Sequence, residues 1–179
     1  MGGMKRSALT RQTPLRAKRA TPRTRKTSPC RVRGCRAASA SVRVGADERY
    51  CRKHATAVAD RACGAFVRAR DPRCVACGSE DGVQWAHVHT RGMRYVRWDA
   101  LNSVGLCARC HFAYTRSPAR WVKFVERTWP GRWVRILHRE LWAERQGGAV
   151  DVAEVIRAYR EGRSWEMPDS LPGVFLEEV

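Results

Sequence analysis

The chain has 179 residues, 44% of them hydrophobic but weighted to Ala, Val and Trp, and carries 35 Lys and Arg against 17 Asp and Glu for a formal charge of +18. Such a composition excludes a single large core and favours small modules stapled by metal, and no apolar run is long enough to span a membrane. The charge points to a polyanion such as nucleic acid, because Lys and Arg displace counterions from phosphates, although a ribosomal-type protein or a charged solubilising tail would share it.

Residues 1–29 contain no acid and almost no bulky apolar side chain, and read as a disordered basic arm. The arm has no apolar core of the kind a secretory signal needs. The expected compartment is the cytoplasm, where thiols stay reduced and cysteine pairs more often serve metal than disulfides.

Residues 30–70 form an N-terminal zinc-binding region followed by a helix. Cys30-x4-Cys35 and Cys51-x-x-His54 supply a four-ligand set for a first structural Zn²⁺. Cys63 could replace His54, but its helical surroundings read as those of a buried thiol. Small apolar residues over 55–70 predict a short helix.

Residues 71–116 carry the stronger pattern. Cys74-x-x-Cys77 and Cys107-x-x-Cys110 are two knuckles that complete a four-sulfur shell, the closed tetrahedral set of a structural Zn²⁺. Between them Gln84–His89 alternates like a strand, which predicts His87 and His89 on one face. An Arg-rich loop follows with Arg91, Arg94 and Arg97, then Asn102, and the second knuckle runs into His111 on a predicted helix.

Residues 117–161 read as a helical extension. Ser117-Pro118 starts one helix bearing Trp121, Phe124, Val125 and Trp129. Pro130-Gly131 breaks it. Trp133, Ile136, Leu137, Leu141 and Trp142 mark the next apolar stripe, and Asp151 is placed to cap a third helix with Val152, Val155, Ile156 and Tyr159. Residues 162–179 form an acidic tail, expected to be loose.

Over residues 66–116 the order Cys74, Cys77, His87, Asn102, Cys107, Cys110, His111 resembles the HNH (ββα-metal, His-Me finger) endonucleases. The stretches A-H-V-H-T-R-G and R-W-D-A-L-N-S-V-G-L-C-A-R-C-H look most like phage nucleases of the NinG (Rap) recombination type. The resemblance implies a small zinc-stabilised α+β fold. It also implies a metal-dependent DNA endonuclease, acting on recombination or packaging DNA and meeting phage proteins of those processes.

In that reading His87 is the general base and His111 binds a catalytic divalent ion, Mg²⁺, Mn²⁺ or another transition metal. Asn102 holds the His-bearing loop, and Arg91, Arg94 and Arg97 contact phosphates. The sequence departs from the family at Ala86, where many members place a metal-binding Asp. His89 could then supply a second ligand, or exchange roles with His87. The alternative is a zinc-ribbon protein that binds nucleic acid without cutting it. Oligomeric state is left open.

Overall fold

The computed structural model describes residues 29–37 and 40–167; the basic arm up to residue 28 and the tail beyond residue 167 lie outside the described residues. Two short antiparallel strands, β1 (Val42–Arg43) and β2 (Arg49–Tyr50), lead into helix α1 (Arg52–Arg70). The helix starts inside the first cysteine cluster, three residues earlier than predicted, because Cys51 is its N-cap and His54 sits in its first turn.

A second antiparallel pair follows, β3 (Val83–His87) and β4 (Ser103–Cys107), with His87 opposite Ser103 and Val83 opposite Cys107. Helix α2 (Ala108–Thr115) continues directly from β4, then come α3 (Pro118–Thr128), α4 (Arg132–Arg145) and α5 (Val152–Arg160). The described residues therefore form a small α+β protein of five helices and two two-stranded sheets. No helix among them is long and apolar enough to cross a membrane.

The β3–β4 hairpin is covered on both faces, so every residue of β4 is buried. On one face Trp85 joins Ala59, Cys63 and Val67 of α1 and Ile156 and Tyr159 of α5. On the other, Ala86, Val104 and Leu106 join Trp121, Phe124 and Val125 of α3 and Ile136 of α4. Strand alternation divides the hairpin between these two cores. Gly105 is required where β4 passes the end of α1, since a Cβ there would lie 2.7 Å from the Asp71 Cβ.

Asp151 caps α5 as expected, its carboxylate accepting from the N–H groups of Ala153 and Glu154. Ser117 makes no side-chain cap, but Pro118 stands at the start of α3 as read. Two expectations fail. Leu141 is exposed, while Arg139 is buried in its place among Ile136 and Ala143. The first residues of the tail are also docked: the Trp165 carbonyl accepts from the Ala100 N–H, and the Met167 N–H donates to Asp99.

Candidate metal centres and histidine cleft

The ligand atoms of Cys30, Cys35, Cys51 and His54 lie within 4.8 Å of one another, as do those of Cys74, Cys77, Cys107 and Cys110. In the first cluster His54 presents Nδ1, 3.3 Å from the sulfurs of both Cys30 and Cys51. Backbone N–H groups point at the sulfurs: Cys51 N–H donates to Cys30 Sγ, and Cys110 N–H to Cys107 Sγ. Donors of this kind favour thiolates, the form zinc requires. Both sets therefore fit a closed structural Zn²⁺. Cys63 takes no part; it is fully buried, and burial pushes its thiol up to about 11.

The second cluster joins the start of the hairpin to the start of α2, so an ion there fixes the helix that carries His111. His87, His89 and His111 all border one cleft of about 460 Å³, floored by Ala86 and Leu106 and walled by Tyr114, Trp121 and Trp133. They reach it from different directions. His87 follows Trp85 on the α1 face, their rings 4.4 Å apart. His111 Nδ1 lies 3.2 Å from Gln84 Oε1, on the Gln84–Ala86 face.

His87 Nε2 lies 3.0 Å from the Arg97 carbonyl. A carbonyl only accepts, so Nε2 carries the proton and Nδ1 is the bare base in the neutral ring. Burial, with help from the charges of Arg91 and Arg97, pushes the His87 imidazole down to about 4. His89 does not share the face of His87, because β3 ends at His87 and alternation ends with it. Its ring packs 3.7 Å from Trp133, and its Nε2 donates to the Trp133 carbonyl at 2.9 Å. His89 is 7% exposed, whereas His87 is only partly buried.

Asn102 is fully buried at the centre of this arrangement. Its Oδ1 accepts from the His89 N–H at 2.7 Å, and its Nδ2 donates to the Val96 carbonyl at 2.9 Å. It ties both ends of the arginine loop to the start of β4. Asn102→Ala would leave the buried His89 N–H unpaired, at about 1–3 kcal/mol, while the Val96 carbonyl would keep the Asp99 N–H as its donor. The expected result is a stability loss of about 1–3 kcal/mol in urea unfolding with zinc retained; a loss under about 0.5 kcal/mol, the size of an ordinary surface substitution, would show that the loop is held elsewhere.

The loop has further anchors that the sequence did not reveal. Glu140 of α4 accepts from the N–H groups of Arg94, Tyr95 and Val96. Asp60 of α1 takes both forks of Arg97, at 3.0 and 2.7 Å, and the Trp98 indole N–H at 2.8 Å. Arg97, expected on phosphate, thus has its planar edge turned to Asp60 and braces the carbonyl that holds His87. Arg91 and Arg94 remain exposed, over the rings of Trp85 and Tyr95. Gln84, Asp60 and Glu140 were missed because each works across 27 to 46 residues of chain, where no local spacing signals it.

If Gln84 Oε1 accepts from His111 Nδ1, Nε2 of His111 is the free lone pair, the arrangement that second partners impose on metal-bound histidines. The cleft offers no carboxylate beside it, since Ala86 faces that way. Among the described residues no set of three ligand groups gathers there as in the two cysteine clusters. The cleft therefore offers one imidazole lone pair rather than a ligand set, and a nitrogen ligand suits transition metals better than Mg²⁺. Compared with known protein families, with characterised proteins and with solved structures, the chain matches none of them.

Proposed function

We propose that this chain is a metal-dependent endonuclease that hydrolyses DNA phosphodiester bonds at an HNH-type site, of the kind found in phage recombination or packaging nucleases. The observation that carries the reading is the β3–β4–α2 unit, closed by four cysteines, with His87 and His111 bordering one cleft through ring nitrogens free of protein partners. The Asn102 hydrogen bonds and the exposed Arg91 add to it.

His87 Nδ1 takes a proton from a water molecule, and the resulting hydroxide forms the new bond to phosphorus. The bond to the 3′ oxygen breaks, and that oxygen leaves to be protonated by solvent. Base catalysis of this type supplies about 10²–10⁴-fold. His111 Nε2 would hold the divalent ion, which when bound stabilises charge on the phosphate and the leaving oxygen. His89, whose Nε2–H likewise donates to a carbonyl, is the competing base, but Trp133 covers it.

The test is nicking of supercoiled plasmid across Mg²⁺, Mn²⁺ and Co²⁺, with His87→Ala and His89→Ala alongside. Cleavage is expected with Mn²⁺ or Co²⁺ above Mg²⁺, and lost in His87→Ala. A base must be unprotonated, and a depressed imidazole stays so at lower pH. The rate should therefore be flat in its acid limb from pH 7.5 down to about 5.5, since an unshifted His would halve it near its ordinary value of about 6.5. A midpoint near 6.5, or loss only in His89→Ala, would move the base away from His87.

A zinc-ribbon protein that binds nucleic acid without cutting is the second reading, favoured by Ala86 and the sparse ligand set. It predicts DNA binding with no nicking in any metal, and no difference on replacing His87.

A further inference from the structure

A second cleft, of about 850 Å³, lies beside the histidine cleft. Its walls come from four parts of the chain: β1 gives Arg43, the start of α1 gives Arg52, the loop gives Arg91 and Arg94, and α5 gives Arg157. Arg157 is engaged, its guanidinium paired with Glu154 at 2.8 Å. Arg43, Arg52, Arg91 and Arg94 are exposed, and among the described residues none of the four forms an ion pair. Asp151 is the one carboxylate on the wall, and it accepts from the α5 N-terminus.

We propose that this cleft is a phosphate track for DNA, continuous through Arg91 with the histidine cleft, and that the first cysteine cluster exists to place its far end. The proposal rests on the endonuclease reading and adds to it a binding surface that the HNH pattern does not contain. Four guanidiniums without an ion pair, of which Arg94 also donates to the Tyr95 hydroxyl, stand on three separate elements and exceed what one small anion can use. They suit a ligand whose phosphates repeat, with each contact releasing counterions. Arg91 borders both clefts, so a strand leaving the histidine cleft meets it first. Arg52 is the first residue after the Cys51 ligand and Arg43 lies on the adjoining hairpin, so an ion in the first cluster fixes where both guanidiniums stand.

The experiment measures binding of the full chain to a fluorescent DNA duplex over a salt series without added divalent metal. It compares wild type, Arg43→Gln/Arg52→Gln and a charge-matched control, Arg120→Gln/Arg127→Gln, on exposed positions of α3 outside both clefts. Zinc content verifies folding of each. The track predicts that the first pair weakens binding and reduces the slope of log affinity against log salt by about 1.8, two contacts at about 0.9 each. The control should keep the wild-type slope. An unchanged slope in the first pair, or an equal fall in the control, would overturn the track. Plasmid nicking is scored separately: nicking with an unchanged slope rejects the track alone, and a reduced slope without nicking in any metal rejects the nuclease alone.

Discussion

Treatment with a strong chelator is expected to unfold the chain, and metal analysis of the untreated protein to find close to two zinc ions, one for each cysteine cluster. A structural zinc contributes about 10–16 kcal/mol in small peptides at neutral pH. That is as large as the whole net stability of an ordinary domain, about 5–15 kcal/mol. The second cluster holds the hairpin to α2 while the apolar residues of β3 and β4 divide between two small cores, so neither core replaces the ion. Cys74→Ser should accordingly abolish cooperative unfolding, whereas Cys35→Ser should cost one zinc and loosen the β1–β2 end. A stoichiometry of one would remove the first site, and circular dichroism that ignores the chelator, or no zinc at all, would remove the metal-stapled architecture.

Arg139→Met is the substitution with the next largest expected cost. Asp99 is fully buried and accepts from Arg139 Nη1 at 3.0 and 2.9 Å, from the Leu101 N–H and from the Met167 N–H. Burial holds its carboxyl above the usual range despite Arg139 beside it. Removing one partner of a buried pair leaves the other charge uncompensated, typically at about 3–5 kcal/mol. The pair also ties α4 to the turn before Asn102 and to the docked start of the tail. Urea unfolding in the presence of zinc measures the loss. A change below about 1 kcal/mol would mean that water reaches Asp99 and that the pair is no more than a surface contact.

The two cysteine clusters were legible because zinc ligands come in short local spacings. Strand β3, the α3 start and the α5 cap were legible for the same reason, since alternation, Pro118 and Asp151 act over a few residues, whereas β4 carries no alternation because both its faces are buried. What escaped was decided at long range. Arg139 breaks the apolar stripe of α4, and its pairing with Asp99, 40 residues away, and with Glu166 explains why it and not Leu141 is buried. Arg97 reads as a phosphate contact until Asp60 claims both its forks. His89 reads as the companion of His87 until the strand ends and Trp133 takes its ring. The return of α5 onto α1 carries no sequence mark beyond two complementary apolar faces.

In the proposed nuclease the imidazoles of His87 and His111, which border one cleft, serve one phosphate from its two sides. Single-turnover cleavage of a DNA duplex in Mn²⁺ by wild type, His87→Ala, His111→Ala and the double variant tests it most directly. Groups that act as a unit are strongly non-additive. Each single variant should lose about 10²-fold or more in rate, and the double should be little worse than either. Wild type as inert as the variants, or two small losses that simply multiply in the double, would contradict the account.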